Sequence, residues 1–160
     1  MNTQPISERE WLDRAVAAAA ENVLAGGGPF GALVVKDGEL IASGVNQVTT
    51  TLDPTAHAEV VAIRAACQAL NTFKLEGCLL VASCEPCPLC LSAALWARMD
   101  RVIFAADRYD AAEAGFDDRA FYEVFSSPQE QWPLTLEQVV GEGSTLPFKR
   151  WSARSDRVEY

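Results

Sequence analysis

The feature that most constrains this chain is a pair of short segments, Thr55-Ala56-His57-Ala58-Glu59 and Pro86-Cys87-Pro88-Leu89-Cys90. His57 is the only histidine of the 160 residues, so a site that needs imidazole must be built around it. Cys87 and Cys90 stand three apart, which on a helix puts them on nearly one face, where two thiolates can grip one small cation. His57 completes a set of three ligands. A structural zinc site closes with four protein ligands, whereas a catalytic one keeps a position for water. The nearest spare thiol is Cys84, so an open His57, Cys87, Cys90 site is the simpler assignment. Alone, the C-x-x-C pair fits a structural zinc knuckle or a redox pair as well. An H-x-E thirty positions upstream turns the balance toward a catalytic metal.

Glu59 is the carboxylate that need not touch the ion. His57 and Glu59 lie about 200° apart around an ideal helix, so they cannot both point one way from its middle. The conflict disappears if His57 sits at the helix start, where the backbone is half committed. Both metal-bearing helices then aim their N-termini at the ion, where the positive dipole end favours thiolate and carboxylate. Pro86 and Pro88 suit such a start.

The rest of the chain frames these segments. At 160 residues it is long enough for one domain with a real core, and 49% apolar with 22% charged residues is ordinary for a soluble globular protein. A net charge of -9 argues against a nucleic-acid groove, which needs clustered Lys and Arg, but leaves small neutral substrates unaffected. Five cysteines, an odd number with two assigned to metal, fit a reducing cytoplasm better than a disulfide scaffold. Neither a signal peptide nor an apolar run long enough for a membrane span is expected.

Residues 7–25 read as an amphipathic helix with Ser7 as cap and Glu10 closing a capping box, its packed side carrying Leu12, Val16, Ala19 and Val23. Gly26–Gly31 breaks it and leads into a hairpin around Asp37-Gly38. Without a Gly-Lys-Ser/Thr ending, the glycines read as a loop for close backbone approach rather than a phosphate loop. Phe30 has two readings, core residue or pocket wall. Asn46, after the second strand, is either a turn former or an amide able to read the edge of a heterocycle. The His57 helix runs to about Leu70, apolar nearly all round and so buried against a sheet, with Cys67 as core filler. A strand over Cys78–Ala82 delivers the cysteine loop, and a helix to about Arg98 follows, bearing Trp96 as core or as a stacking surface. Arg101–Ala105 is the next strand. Strands separated by helices imply crossovers, so this part of the sheet should be parallel with helices on its faces. Residues 146–154 read as a short helix with aromatic and basic sides, which as a tail is ordinarily packing or a frayed end.

At this point the chain resembles the cytidine deaminase superfold and, within it, the bacterial guanine deaminases. The matching text is Gly28–Gly31, Asp53–Glu59, Ser83–Cys90 and Asp110–Asp118. The H-A-E and P-C-x-x-C parts are shared across the superfold, whereas Ala112-Glu-Ala-Gly-Phe-Asp-Asp118 and the terminal Glu159-Tyr160 point to guanine. The resemblance implies an α/β three-layer sandwich, with a central mixed five-stranded sheet flanked by helices, as a single zinc-dependent deaminase domain over 1–160. It implies Zn2+ on His57, Cys87 and Cys90, with Glu59 shuttling protons and Asp118 contacting the departing amino group. Asp117 beside it is an equal candidate on spacing alone. Asn46 and Phe30 would hold the purine, Trp96 would line the pocket, and Tyr160 would enter it from a segment, 146–160, exchanged between subunits of a homodimer. The expected partner is a small purine, with no nucleic acid and no membrane. Rival readings are the same chemistry on guanosine, cytosine, cytidine, ammeline or a tRNA adenosine, and a non-catalytic zinc-stabilised interaction module, which would have no use for Glu59.

Overall fold

The computed structural model describes residues 5–160. Its first helix, α1 (Glu8–Leu24), starts at Ser7, whose hydroxyl accepts from the Glu10 amide while the Glu10 carboxylate accepts from the Ser7 amide. This reciprocal pairing satisfies two of the donors a helix start leaves open. The hairpin follows as β1 (Gly31–Lys36) and β2 (Glu39–Val45), joined by Asp37 and Gly38, both at positive φ. Two left-handed residues give the turn that matches strand twist. After a single turn, α2 (Val48–Thr51), come α3 (Ala58–Ala69), β3 (Cys78–Cys84), α4 (Pro88–Trp96) and β4 (Arg101–Ala106). The helices α5 (Arg108–Glu113), α6 (Asp118–Ser126) and α7 (Leu146–Ala153) complete the order.

The strands run β2-β1-β3-β4, antiparallel in the first two pairings and parallel between β3 and β4. The mixed character and the parallel crossover agree with the sequence reading. The strand count does not: among the described residues the sheet has four strands, where five were expected. Past β4 the chain enters α5 and α6, and the apolar stretch 134–140 pairs with no strand.

Alternation along β1 sorts the layers. Leu33 and Val35 face α1 and pack with Trp11 and Ala15, while Ala32 and Val34 face the opposite layer and pack with Ala58, Ala62, Ala66 and Ala94 of α3 and α4. The buried seam of α1 is therefore Trp11, Ala15 and Ala19. Val16 and Val23, expected on the packed side, are exposed, because the tryptophan sets the rotation of the helix. Small residues dominate both interfaces for a geometric reason. A Cβ at Gly31 would lie 2.6 Å from the Ala15 carbonyl oxygen, and one at Gly44 would lie 2.4 Å from that of Ala58. The sheet thus presses backbone to backbone on α1 and α3, which fixes where α3 begins.

Candidate active site

His57 is the residue immediately before α3, with an extended backbone, and Cys87 holds the same position before α4. Glu59 stands in the first turn of α3 and Cys90 in that of α4. The two helix starts meet, and His57 Nδ1 lies 3.5 Å from Cys87 Sγ and 3.4 Å from Cys90 Sγ, with 3.7 Å between the sulfurs. These are the only three residues whose donor atoms form such a cluster among the described residues. Zinc in a tetrahedral setting, with Zn–S near 2.3 Å and Zn–N near 2.05 Å, separates two sulfurs by about 3.8 Å and a sulfur from a nitrogen by about 3.6 Å. The observed triangle has those edges, so the donor set fits zinc.

The electrostatics point the same way. Hydrogen bonding from Cys90, then contact with His57, holds the Cys87 thiol down to about 4 against its burial. The same bond and burial push the Cys90 thiol up. The two neighbouring sulfurs oppose each other's ionisation, and a divalent cation is what lets both lose their protons. Contact with Cys87 raises His57.

Glu59 is buried, with Oε2 3.3 Å from Cys90 Sγ, and its burial pushes the carboxyl up. It borders the triangle of donor atoms without being part of it. A cavity of about 440 Å³ opens over it, walled by Phe30, Asn46, His57, Cys87, Phe116 and Asp118. Asp118, the first residue of α6, is half-buried and raised by burial and then by the Cys87 charge, whereas Asp117 is exposed. Asp118 is therefore the one of the two that faces the cavity. The Asn46 amide oxygen accepts from the Val48 N–H at 3.2 Å, which leaves its NH₂ to donate into the cavity.

The structure does not bring every expected residue together. Trp96 is 60% exposed on the far side of α4, and Tyr160 packs on it at 5.8 Å between centroids, with Phe73 and Trp151 alongside. Within one chain, neither borders the cavity that holds His57 and Glu59.

Two residues had no role in the sequence reading. Phe116 meets Phe30 edge to face at 4.8 Å, and the pair forms one wall. Asn22, in the last turns of α1, donates from one NH₂ to the carbonyls of Gly28 at 2.8 Å and Asn46 at 2.9 Å. It ties the glycine loop to the strand end that carries Asn46. A Cβ at Gly27 would lie 2.4 Å from that amide, which explains why the loop there is glycine. A polar residue in an alanine-rich helix was the available signal, but nothing in the sequence links positions 22 and 46.

Comparison with known proteins agrees with this geometry. Residues 5–106 match the cytidine and deoxycytidylate deaminase zinc-binding region. The chain belongs to that deaminase family. It is 49% identical over 156 residues to the guanine deaminase of Bacillus subtilis, covering 97% of this chain and 100% of that one. The solved structure of the Bacillus subtilis enzyme superposes with a TM-score of 0.93 over 97% of this chain and 99% of that one. The guanine deaminase from Nitrosomonas europaea is 32% identical, with a TM-score of 0.67 over 73% and 70% of the two chains. A tRNA-specific adenosine deaminase of Agrobacterium fabrum is 40% identical over 133 residues, 82% of this chain and 84% of that one. The family match ends at β4, so it contains His57, Glu59, Cys87 and Cys90 but not Asp118.

The ligand triangle yields a direct test. Cys87→Ala removes one of three donors, and dialysed protein should retain well under a tenth of the wild-type zinc by elemental analysis, with a lower thermal midpoint, since coupling of folding to zinc can reach roughly 10 kcal/mol. Because both sulfurs must lose protons to bind, wild-type zinc affinity should fall as pH falls. Full occupancy in the variant would remove Cys87 from the ligand set.

Proposed function

We propose that this chain hydrolyses guanine to xanthine and ammonia. The observation that carries the reading is the buried Glu59 carboxyl beside an open three-donor zinc site, at the floor of a cavity large enough for a bicyclic base. Guanine rather than another aminoheterocycle is favoured by the full-length likeness to the Bacillus subtilis enzyme, which extends through the residues beyond β4.

Zinc held by His57, Cys87 and Cys90 would supply the Lewis acidity that makes water a nucleophile near neutral pH. The chain's own groups do the rest. Glu59, kept basic enough by burial to carry a proton, takes one from the attacking water and delivers it to a ring nitrogen, which makes C2 electrophilic. As the new C2–O bond forms and the C2–N bond breaks, Asp118 and Glu59 hand protons to the departing amine, which leaves as ammonia. Phe30 and Phe116 hold the faces and edge of the ring, and the Asn46 NH₂ donates to an acceptor on it.

Glu59→Gln should keep zinc while turnover falls by about 10² to 10⁴ or more, the range for loss of general acid-base catalysis. Ammonia release from guanine, guanosine, cytosine, cytidine, adenine and ammeline should be greatest with guanine. Preference for another base would replace the substrate, and no release from any would favour a non-catalytic zinc module.

The reading includes a cytoplasmic homodimer, and its described cysteines form no disulfide. Exchange of 146–160 between subunits would bring a partner copy of Tyr160 to the site, and it suits a tail whose Phe148, Val158 and Tyr160 are exposed. Light scattering should give twice the chain mass, and a monomer with full activity would remove both the dimer and the exchange.

A further inference from the structure

Asp118 reaches the cavity from α6, and that helix is weakly packed: none of its nine residues is buried, and Phe121 and Phe125 on its apolar side stay 49% and 62% exposed. Burial of apolar surface, the usual means of fixing a helix, is therefore thin here. Its placement rests on a polar anchor instead. Tyr122 Oη donates to the carbonyl of Pro86 at 2.7 Å, immediately before the ligand Cys87. The Tyr122 ring lies under the Arg108 guanidinium, 3.5 Å from carbon to centroid. Arg108 in turn donates to the Glu85 carboxylate three times, from its backbone N–H at 3.0 Å, Nε at 3.0 Å and Nη2 at 2.6 Å.

The circuit closes on itself, because Glu85 and Pro86 are consecutive. It is the one ion pair among those of the described residues in which both side chains are largely out of water. Its geometry is the two-pronged kind in which lysine does not replace arginine. Tyr122 follows Asp118 by four residues, so the two lie on one face of α6. Fixing the Tyr122 hydroxyl on the Cys87 loop therefore fixes the distance between the Asp118 carboxyl and the metal ligands.

We propose that Tyr122, braced by Arg108 and Glu85, is a positioning residue that sets Asp118 over the metal site for proton transfer to the leaving amine. This rests on the reading of Asp118 given above. The consequence is a rate effect without a binding effect, since Tyr122 does not border the cavity.

The test is a double-mutant cycle with Tyr122→Phe and Asp118→Asn, read as kcat and KM for guanine, bound zinc and hydrogen exchange along α6. Tyr122→Phe keeps the ring under Arg108 and removes only the bond to Pro86. It should lower kcat roughly 10- to 100-fold, as a misplacement of about 1 Å does. KM should stay within about threefold, the pattern of a contact that matters in the transition state only. Zinc should be unchanged, and amides of 118–126 should exchange faster while those of α3 do not. In the Asp118→Asn background the same substitution should change kcat by less than about twofold, because the path it acts through is gone. Arg108→Lys, which keeps the charge but loses the fork, should reproduce the single-mutant pattern. An equal loss in both backgrounds, an unchanged kcat in Tyr122→Phe, or loss of zinc or folding in both Tyr122→Phe and Arg108→Lys would overturn the positioning role. Full turnover in Asp118→Asn alone would instead remove the reading of Asp118, and this proposal with it.

Discussion

The structure depends on the meeting of two helix starts. His57 and Cys87 each occupy the residue before a helix, where the backbone is still extended and the side chain can turn across the helix end. That placement lets one imidazole and two sulfurs, from segments thirty residues apart, form a triangle with edges of 3.4 to 3.7 Å. It also lets Glu59, which a mid-helix geometry would turn away from His57, stand beside the same point. Both helix ends aim a positive dipole at that point, with first-turn N–H groups that have no partner within the helix, the setting that favours thiolate and carboxylate.

The remainder of the fold holds those helix starts in place. Gly44 brings α3 against the sheet so closely that no Cβ fits between, and Gly31 does the same for α1. From α1, Asn22 reaches across to secure the loop and strand end that frame the cavity. On the other side, the Glu85, Arg108, Tyr122 and Pro86 circuit ties α5 and α6 to the cysteine loop. The Asn22 brace ends on Asn46, which lines the cavity, and the circuit through Tyr122 holds the helix that carries Asp118. The metal ligands, Glu59 and the Phe30 and Asn46 walls come from the segment up to β4, and the far wall comes from α6 and the turn before it.

The metal site was legible in the sequence because its residue types are rare and their chemistry is local: one histidine, a C-x-x-C pair and an acid at a fixed offset. The hairpin was legible for the same reason, since Asp37-Gly38 dictates a turn on its own. Less local features were not. Val16 and Val23 have the right spacing for the packed side of α1, yet Trp11 turns the helix otherwise, a tertiary preference that periodicity does not carry. A fifth strand was implied by resemblance, but the residues after β4 form helices and an unpaired stretch. Asn22 and Tyr122 act through partners 24 and 36 positions away, and no residue type at either position announces such a bond. Trp96 and Tyr160 meet each other away from the cavity, so any part they take in it depends on a second chain.

The central claim is an ion held by one imidazole and two thiolates, with its fourth position left to solvent or substrate. X-ray absorption at the zinc edge of the loaded protein tests it most directly. The account predicts two sulfur scatterers near 2.3 Å and a light-atom shell near 2.0 to 2.1 Å containing one imidazole and one non-protein oxygen. The oxygen contribution should change when a substrate analogue is added. A third sulfur, or a four-ligand protein shell that no analogue perturbs, would contradict it.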